Sequence, residues 1–204
     1  GYERAMDAAF IGEMRLCQRR RTDGTVYDEV VRIGSGASTF WMDRYEASVW
    51  ERTDASGTRY GAAPRMEDYP ATFPKNGQAQ LRNLLYARSI SSLPPSIGIT
   101  WFQANRTCHA SGKRLPTGAE WLEAATGTND PGSNNGVIGG ACVTMAGEPR
   151  NTGMGSVGCV SAWGAQDMIG NLQEWTAEWL ATVSSMPSST ALELQPWPDE
   201  TYRQ

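Results

Sequence analysis

The chain has 204 residues, 40% of them hydrophobic and 20% charged, which allows one sizeable core or two small ones and excludes a disordered chain. Its net charge of -4 argues against a general nucleic-acid binder, which would be basic. No run approaches the roughly 18 apolar residues of a membrane span.

The first twenty residues lack the charged-then-apolar order of a secretory leader. A start at Gly1 rather than Met leaves room for a leader or domain removed earlier. Arg19-Arg20-Arg21 is the only basic cluster and reads as a solvated patch. Residues 1–36 are weakly patterned and form an N-terminal extension, with one strand expected over Val26–Ile33 and a stop at Gly34-Ser35-Gly36. Phe40 to Trp50 is rich in aromatic and β-branched residues and reads as a single strand. Residues 51–98 carry many Pro, Gly, Ser and Asn residues and read as a long irregular excursion. Tyr60, Tyr69, Phe73, Leu84, Leu85 and Tyr86 keep that excursion packed.

Two helices follow. Thr100 caps the first, and Trp101, Ala104, Asn105 and Cys108 fall at i, i+3, i+4 and i+7 on one face until Gly112 ends it. Thr117-Gly118-Ala119-Glu120 is a capping box that opens the second, continued by Trp121, Leu122, Ala124 and Ala125. Asn129 to Gly132 and Ser133 to Gly136 are turn sequences. No internal repeat is visible.

The four cysteines are Cys17, Cys108, Cys142 and Cys159, and His109 is the only histidine. Without tightly spaced N or S ligands a structural zinc is excluded. Cys142 and Cys159 flank a Gly-rich loop, and a disulfide across it would stabilise by roughly 3 kcal/mol. Free buried thiols are the alternative. Asp167 to Glu174 offers two carboxylates, with Gly170 allowing a bend that aims carbonyls at one point. Such a set suits a hard cation such as calcium. The plainer reading is that Glu174 and Asn171 only satisfy buried backbone groups. Lys113-Arg114 and Asp43-Arg44-Tyr45-Glu46 have the look of active-site material, and the plainer reading is of loop pins working through buried ion pairs. Trp41, Trp101, Trp121, Trp163, Trp175 and Trp179 read as core.

Two segments carry a family resemblance: Gly112-Lys113-Arg114-Leu115-Pro116-Thr117-Gly118-Ala119-Glu120-Trp121 and Asp167-Met168-Ile169-Gly170-Asn171-Leu172-Gln173-Glu174-Trp175-Thr176. Together they resemble the formylglycine-generating-enzyme-like (sulfatase-modifying factor) branch of the C-type lectin fold. The resemblance implies an α+β domain over residues 37–204, with two helices packed on small antiparallel sheets and long loops. It implies a calcium ion held by the Asp167 side chain, the Gly170 and Leu172 carbonyls and the Glu174 carboxylate. A second calcium site of the family lacks its acidic ligand near Asn151 to Gly155, where a Cys142–Cys159 disulfide would brace the loop instead.

The family's oxidases bind copper through two cysteines that follow the second segment, and no cysteine follows Glu174 here. Trp179 to Gln204 also lacks the RGGSW-like and GFR-like strands that close the fold, so the C-terminal strands are expected to be missing from this chain. No catalytic residue is therefore assigned. The ergothioneine-type iron enzymes of this fold need a His-rich site that His109 alone does not build.

Cys142 to Trp179, Phe40 to Trp50 and Tyr69 to Gly77 look most like the variable proteins of diversity-generating retroelements. That likeness covers roughly residues 37–180. It implies ligand binding rather than catalysis, through a diversified patch that would lie past Gln204. The partner would be a protein or other surface ligand, at a cell surface or on a virion. The alternatives are an oxidase whose cysteines lie beyond residue 204 and a non-catalytic accessory domain of the same fold.

Overall fold

The computed structural model describes residues 2–5, 15–62, 68–75, 84–128, 142, 149–154 and 159–178. Within them the chain is a small α+β structure of two antiparallel sheets and two helices. The first sheet runs in the order β1 (Glu3–Ala5), β2 (Leu16–Arg20), β3 (Val26–Ser35) and β4 (Ser38–Asp43). The second places β5 (Ala47–Trp50) between β6 (Arg59–Tyr60) and β7 (Tyr86–Ser89).

Side-chain alternation along β3 divides the first sheet into two faces. Leu16, Val31 and Ile33 turn one way and bury against Ala124, Ala165 and Met168, with Phe40, Met42, Trp121 and Trp163 closing around them. Cys17, Asp28, Val30 and Asp43 turn the other way. A second apolar cluster of Val49, Phe73 and Leu85 sits against Tyr60, Tyr69 and Ile99.

The helices follow their local signals. The first, α1 (Trp101–Ala110), has Thr100 as N-cap in a capping box with Gln103. The second, α2 (Gly118–Ala125), has Thr117 as N-cap in a capping box with Glu120. Such caps satisfy backbone N–H groups that the helix itself leaves open. Thr117→Ala removes one of those acceptors and is expected to cost about 1 kcal/mol by urea denaturation. Thr117→Ser should keep most of it.

Several sequence expectations are corrected. Phe40 to Trp50 is not one strand. Arg44 to Glu46 breaks it, and β4 and β5 lie in different sheets. The break has a local cause: Tyr45 N–H donates to Ser89 Oγ (3.0 Å) and Gln166 N–H donates to the Arg44 carbonyl (2.8 Å), which pull the backbone off the ladder. The strand at Val26 runs through Gly34 to Ser35 and turns only at Gly36-Ala37. The division at residues 36 and 37 therefore falls inside the turn joining two hydrogen-bonded strands. β1, β2, β6 and β7 lie where little or no regular structure is expected.

The buried face of α1 is Gln103, Ala104 and Thr107, not the Trp101–Cys108 face. Gln103 is buried because its side chain serves both ends: Nε2 donates to the Phe73 carbonyl (2.8 Å) and Oε1 accepts from Thr100 N–H (3.1 Å). The basic cluster is also more than solvated surface. Arg19 stacks over the Tyr2 ring at 4.0 Å, and Arg21 Nε donates to the Asp54 carbonyl at 2.8 Å. The turns from Asn129 to Gly136, and Trp179 to Gln204, lie outside the described residues.

Candidate functional site

Two groups of charged side chains meet near the break between β4 and β5. The first is a buried ion network. Asp28, fully buried on β3, receives Lys113 Nζ (2.7 Å) and the Ser89 N–H (3.0 Å) on Oδ1. Its Oδ2 receives Arg88 (3.2 Å) and the Tyr2 hydroxyl (2.7 Å). Lys113 Nζ also donates to Asp43 Oδ1 (2.6 Å). Burial pushes the Asp28 carboxyl up, but the charge of Lys113 and the hydrogen bonds it accepts outweigh that and hold it below the usual range. Lys113 is raised for the reciprocal reason: burial opposes its charge, and Asp43 and Asp28 more than offset it. Lys113 thus joins β3, β4 and the segment before α2, as a loop pin does. Arg114 pairs outward with Glu120.

The second group is acidic. Asp167, Gly170 and Asn171 all adopt positive φ (61°, 86° and 57°), a conformation that Asp, Asn and Gly accept most readily. The turn they make is tied down on every side. Gly153 N–H donates to Asp167 Oδ2 (2.8 Å), and Asn171 Oδ1 accepts from Arg150 N–H (2.8 Å). Glu46 reaches in from the strand break to accept the Leu172 N–H (2.9 Å) and the Asn171 side-chain amide. Glu174 accepts the Trp121 indole N–H from α2.

Burial raises all three carboxyls. Glu46 is pushed up to about 9, with the charge of Glu174 adding to the effect. Glu174 is pushed up to about 7, against the hydrogen bond from Trp121. Asp167 is raised by burial against the bond from Gly153. Sequence reasoning placed Glu46 with the loop pins or active-site material around Asp43 and missed its place in this cluster. Its partner Asn171 lies 125 residues away.

The candidate cation set can be tested on these atoms. Asp167 and Glu174 each have one oxygen engaged, and the Gly170 and Leu172 carbonyls accept no hydrogen bond among the described residues. Free carbonyls and half-engaged carboxylates on one bent segment fit an oxygen-seeking cation. Among the described residues, no three His, Cys, Asp or Glu side chains converge to hold a metal by themselves, so the carbonyls are essential to this set.

A cavity of about 780 Å³ adjoins both groups. It is lined by Phe40 to Asp43, Glu46, Lys113, Trp121 and Glu174, among others. Trp41 and Trp175 are each 47% exposed, so these two are not the core residues expected of them. Cys142 and Cys159 are joined in a disulfide, with Cα atoms 4.9 Å apart. Cys17 and Cys108 form no disulfide among the described residues. Burial pushes the Cys108 thiol up to about 12.

The family described as Sulfatase-modifying factor enzyme 1-like domain matches residues 24–195, and the chain belongs to it. No curated protein and no solved structure matches the chain. No described helix is long and apolar enough to cross a membrane.

Proposed function

We propose that this domain binds ligands rather than oxidising them, on a C-type lectin scaffold of the kind used by the variable proteins of diversity-generating retroelements. The observation that supports it best is the state of the cysteines. Copper-dependent oxidation in this family needs thiolates, the reactive form of cysteine. Cys142 and Cys159 are bonded to each other, and Cys108 is held as a neutral thiol by burial. The ion network around Asp28 and the tied turn at Asp167–Glu174 suit a scaffold that must stay rigid while surface residues change. The partner is a protein or other surface ligand, met at a cell surface or virion.

Family membership itself favours a second reading, a formylglycine-generating oxidase, and one assay separates the two. The protein is incubated with copper, oxygen and a cysteine-containing peptide, and the peptide mass is followed. No change is expected; conversion of the thiol to an aldehyde would overturn the binding reading.

Calcium belongs to the same proposal, as a brace for the turn held by Asp167, Gly170, Leu172 and Glu174. Calcium at a hundredfold over its Kd should stabilise by about 2.7 kcal/mol, or roughly 5–10 °C in melting temperature. Glu174→Ala should melt lower in calcium and lose all response to EGTA. A wild-type melt that ignores EGTA leaves the turn as a hydrogen-bonded loop only.

A further inference from the structure

Trp41 and Trp175 are each half exposed, and both line the cavity. Single exposed apolar residues are ordinary, whereas large ones gathered on one concave surface mark a ligand site. The indole N–H of Trp175 donates to the Ile99 carbonyl (3.0 Å), which fixes that ring. Trp41 is placed by β4. Side chains two residues apart on a strand share a face, about 7 Å apart. Trp41 therefore stands beside Asp43, on the face that carries Val30 and Cys17. At about 780 Å³ the cavity lies within the range of small-ligand sites, roughly 300–1,000 Å³.

Asp43 and Lys113 line the same cavity and are not wholly covered. Their side chains keep 23% and 13% of their surface exposed, where Asp28 keeps none. Their bonding is incomplete. Lys113 Nζ has three hydrogens and gives two, to Asp28 and Asp43. Asp43 accepts on Oδ1, and its Oδ2 takes no hydrogen bond among the described residues. The ion pair thus offers a ligand one acceptor and one donor side by side.

These atoms select the ligand. An aliphatic guest would strip water from both and return no hydrogen bond, which is costly. A charged guest would compete with pairs already made, because Lys113 is held by Asp28 and Asp43, and Arg114 by Glu120. Glu46 and Glu174 are tied into the Asp167 turn. A trans peptide unit points its N–H and C=O in opposite directions and serves only one of the two atoms. Neighbouring hydroxyls on a ring serve both, since each is donor and acceptor. One accepts from Lys113 and the next donates to Asp43. A pyranose with equatorial substituents carries such hydroxyls around its rim and C–H groups on its faces. Those C–H groups meet the electron-rich face of an indole ring.

We propose that this cavity binds an uncharged saccharide, with one pyranose ring stacked on Trp41 and adjacent hydroxyls bonded to Asp43 Oδ2 and Lys113 Nζ. The site uses no metal ion and is separate from a diversified patch past Gln204. The probe is cellotriose, an unbranched β-linked glucose oligomer, titrated into the full chain in EGTA and followed by tryptophan fluorescence.

Saturable binding is expected, unchanged when calcium replaces EGTA. Trp41→Ala should weaken it about tenfold or more, and Trp41→Phe much less, because phenylalanine keeps an aromatic face. Trp41 is half exposed, so neither change threatens the fold. Asp43→Asn should weaken binding about fivefold, since a charge-assisted bond becomes a neutral one. Leu122→Ala, at an exposed position of α2 outside the lining, should change nothing. Absence of saturable binding overturns the proposal, as does equal binding by Trp41→Ala or Asp43→Asn. Binding that needs calcium would put the saccharide on a cation, and uridine binding as tightly as cellotriose would make the ligand a planar base. Either result overturns the proposal as well.

Discussion

Replacing Lys113 by methionine is expected to lower the unfolding free energy by about 3–5 kcal/mol, the loss typical of a buried ion pair stripped of one partner. Asp28 is fully buried and binds Lys113 at 2.7 Å, while Asp43 binds the same ammonium at 2.6 Å. Methionine keeps the unbranched apolar stem, one atom shorter, and removes the charge and its donors. Arg88 stays on Asp28 at 3.2 Å, so Asp43 is left with the larger deficit. Adding Asp43→Asn to Lys113→Met should therefore recover part of the loss, and the double-mutant cycle gives the coupling between the two. Urea denaturation measures all four proteins. A loss under about 1 kcal/mol would put the network in the class of solvent-exposed pairs and remove its role as the pin between β3, β4 and the segment before α2.

The parts legible in the sequence are those set by neighbours along the chain. Thr100 and Thr117 announce the two helices because a cap and its partner lie three residues apart. Lys113 is readable as a loop pin, but its partner Asp28 is 85 residues distant and lies in a stretch without a clear apolar pattern. The missed strands share one cause. β2, β6 and β7 contain Arg19, Arg20, Arg59 and Arg88, and a strand that buries Arg88 against Asp28 does not alternate apolar with polar. The buried face of α1 was misjudged for the same reason. Gln103 and Thr107 are polar, and only their hydrogen bonds to Phe73 and Ala104 make burial tolerable. Glu46 sits in a run of charges that looks like surface. Its place beside Asn171 and Leu172 depends on the break between β4 and β5, which is set by contacts from Ser89 and Gln166.

That placement leads to a pH dependence opposite to the one most carboxylates give. In metal-free buffer, the chain is expected to lose stability as pH rises from about 5 to 8. Glu46 and Glu174 are pushed up to about 9 and about 7 in the folded chain, from an ordinary value of 4.5. Between 4.5 and 7 the folded state holds protons that the unfolded chain has released. The contribution is therefore fully present below 4.5 and is lost as pH rises through the two folded values. One such proton changes stability by about 1.4 kcal/mol per pH unit at most, and the partial exposure of Glu174 reduces its share. Glu174→Gln isolates that share, because the amide oxygen can still accept the Trp121 indole N–H while the charge beside Glu46 is gone. The variant should show a shallower slope below pH 7 and greater stability than the parent at pH 8. Urea midpoints in EGTA at one-unit intervals measure it. An unchanged slope would mean that Glu174 titrates as an ordinary surface carboxylate. A stability that climbs with pH in the parent would mean that both carboxylates are ionised in the folded chain and held by the N–H donors around them.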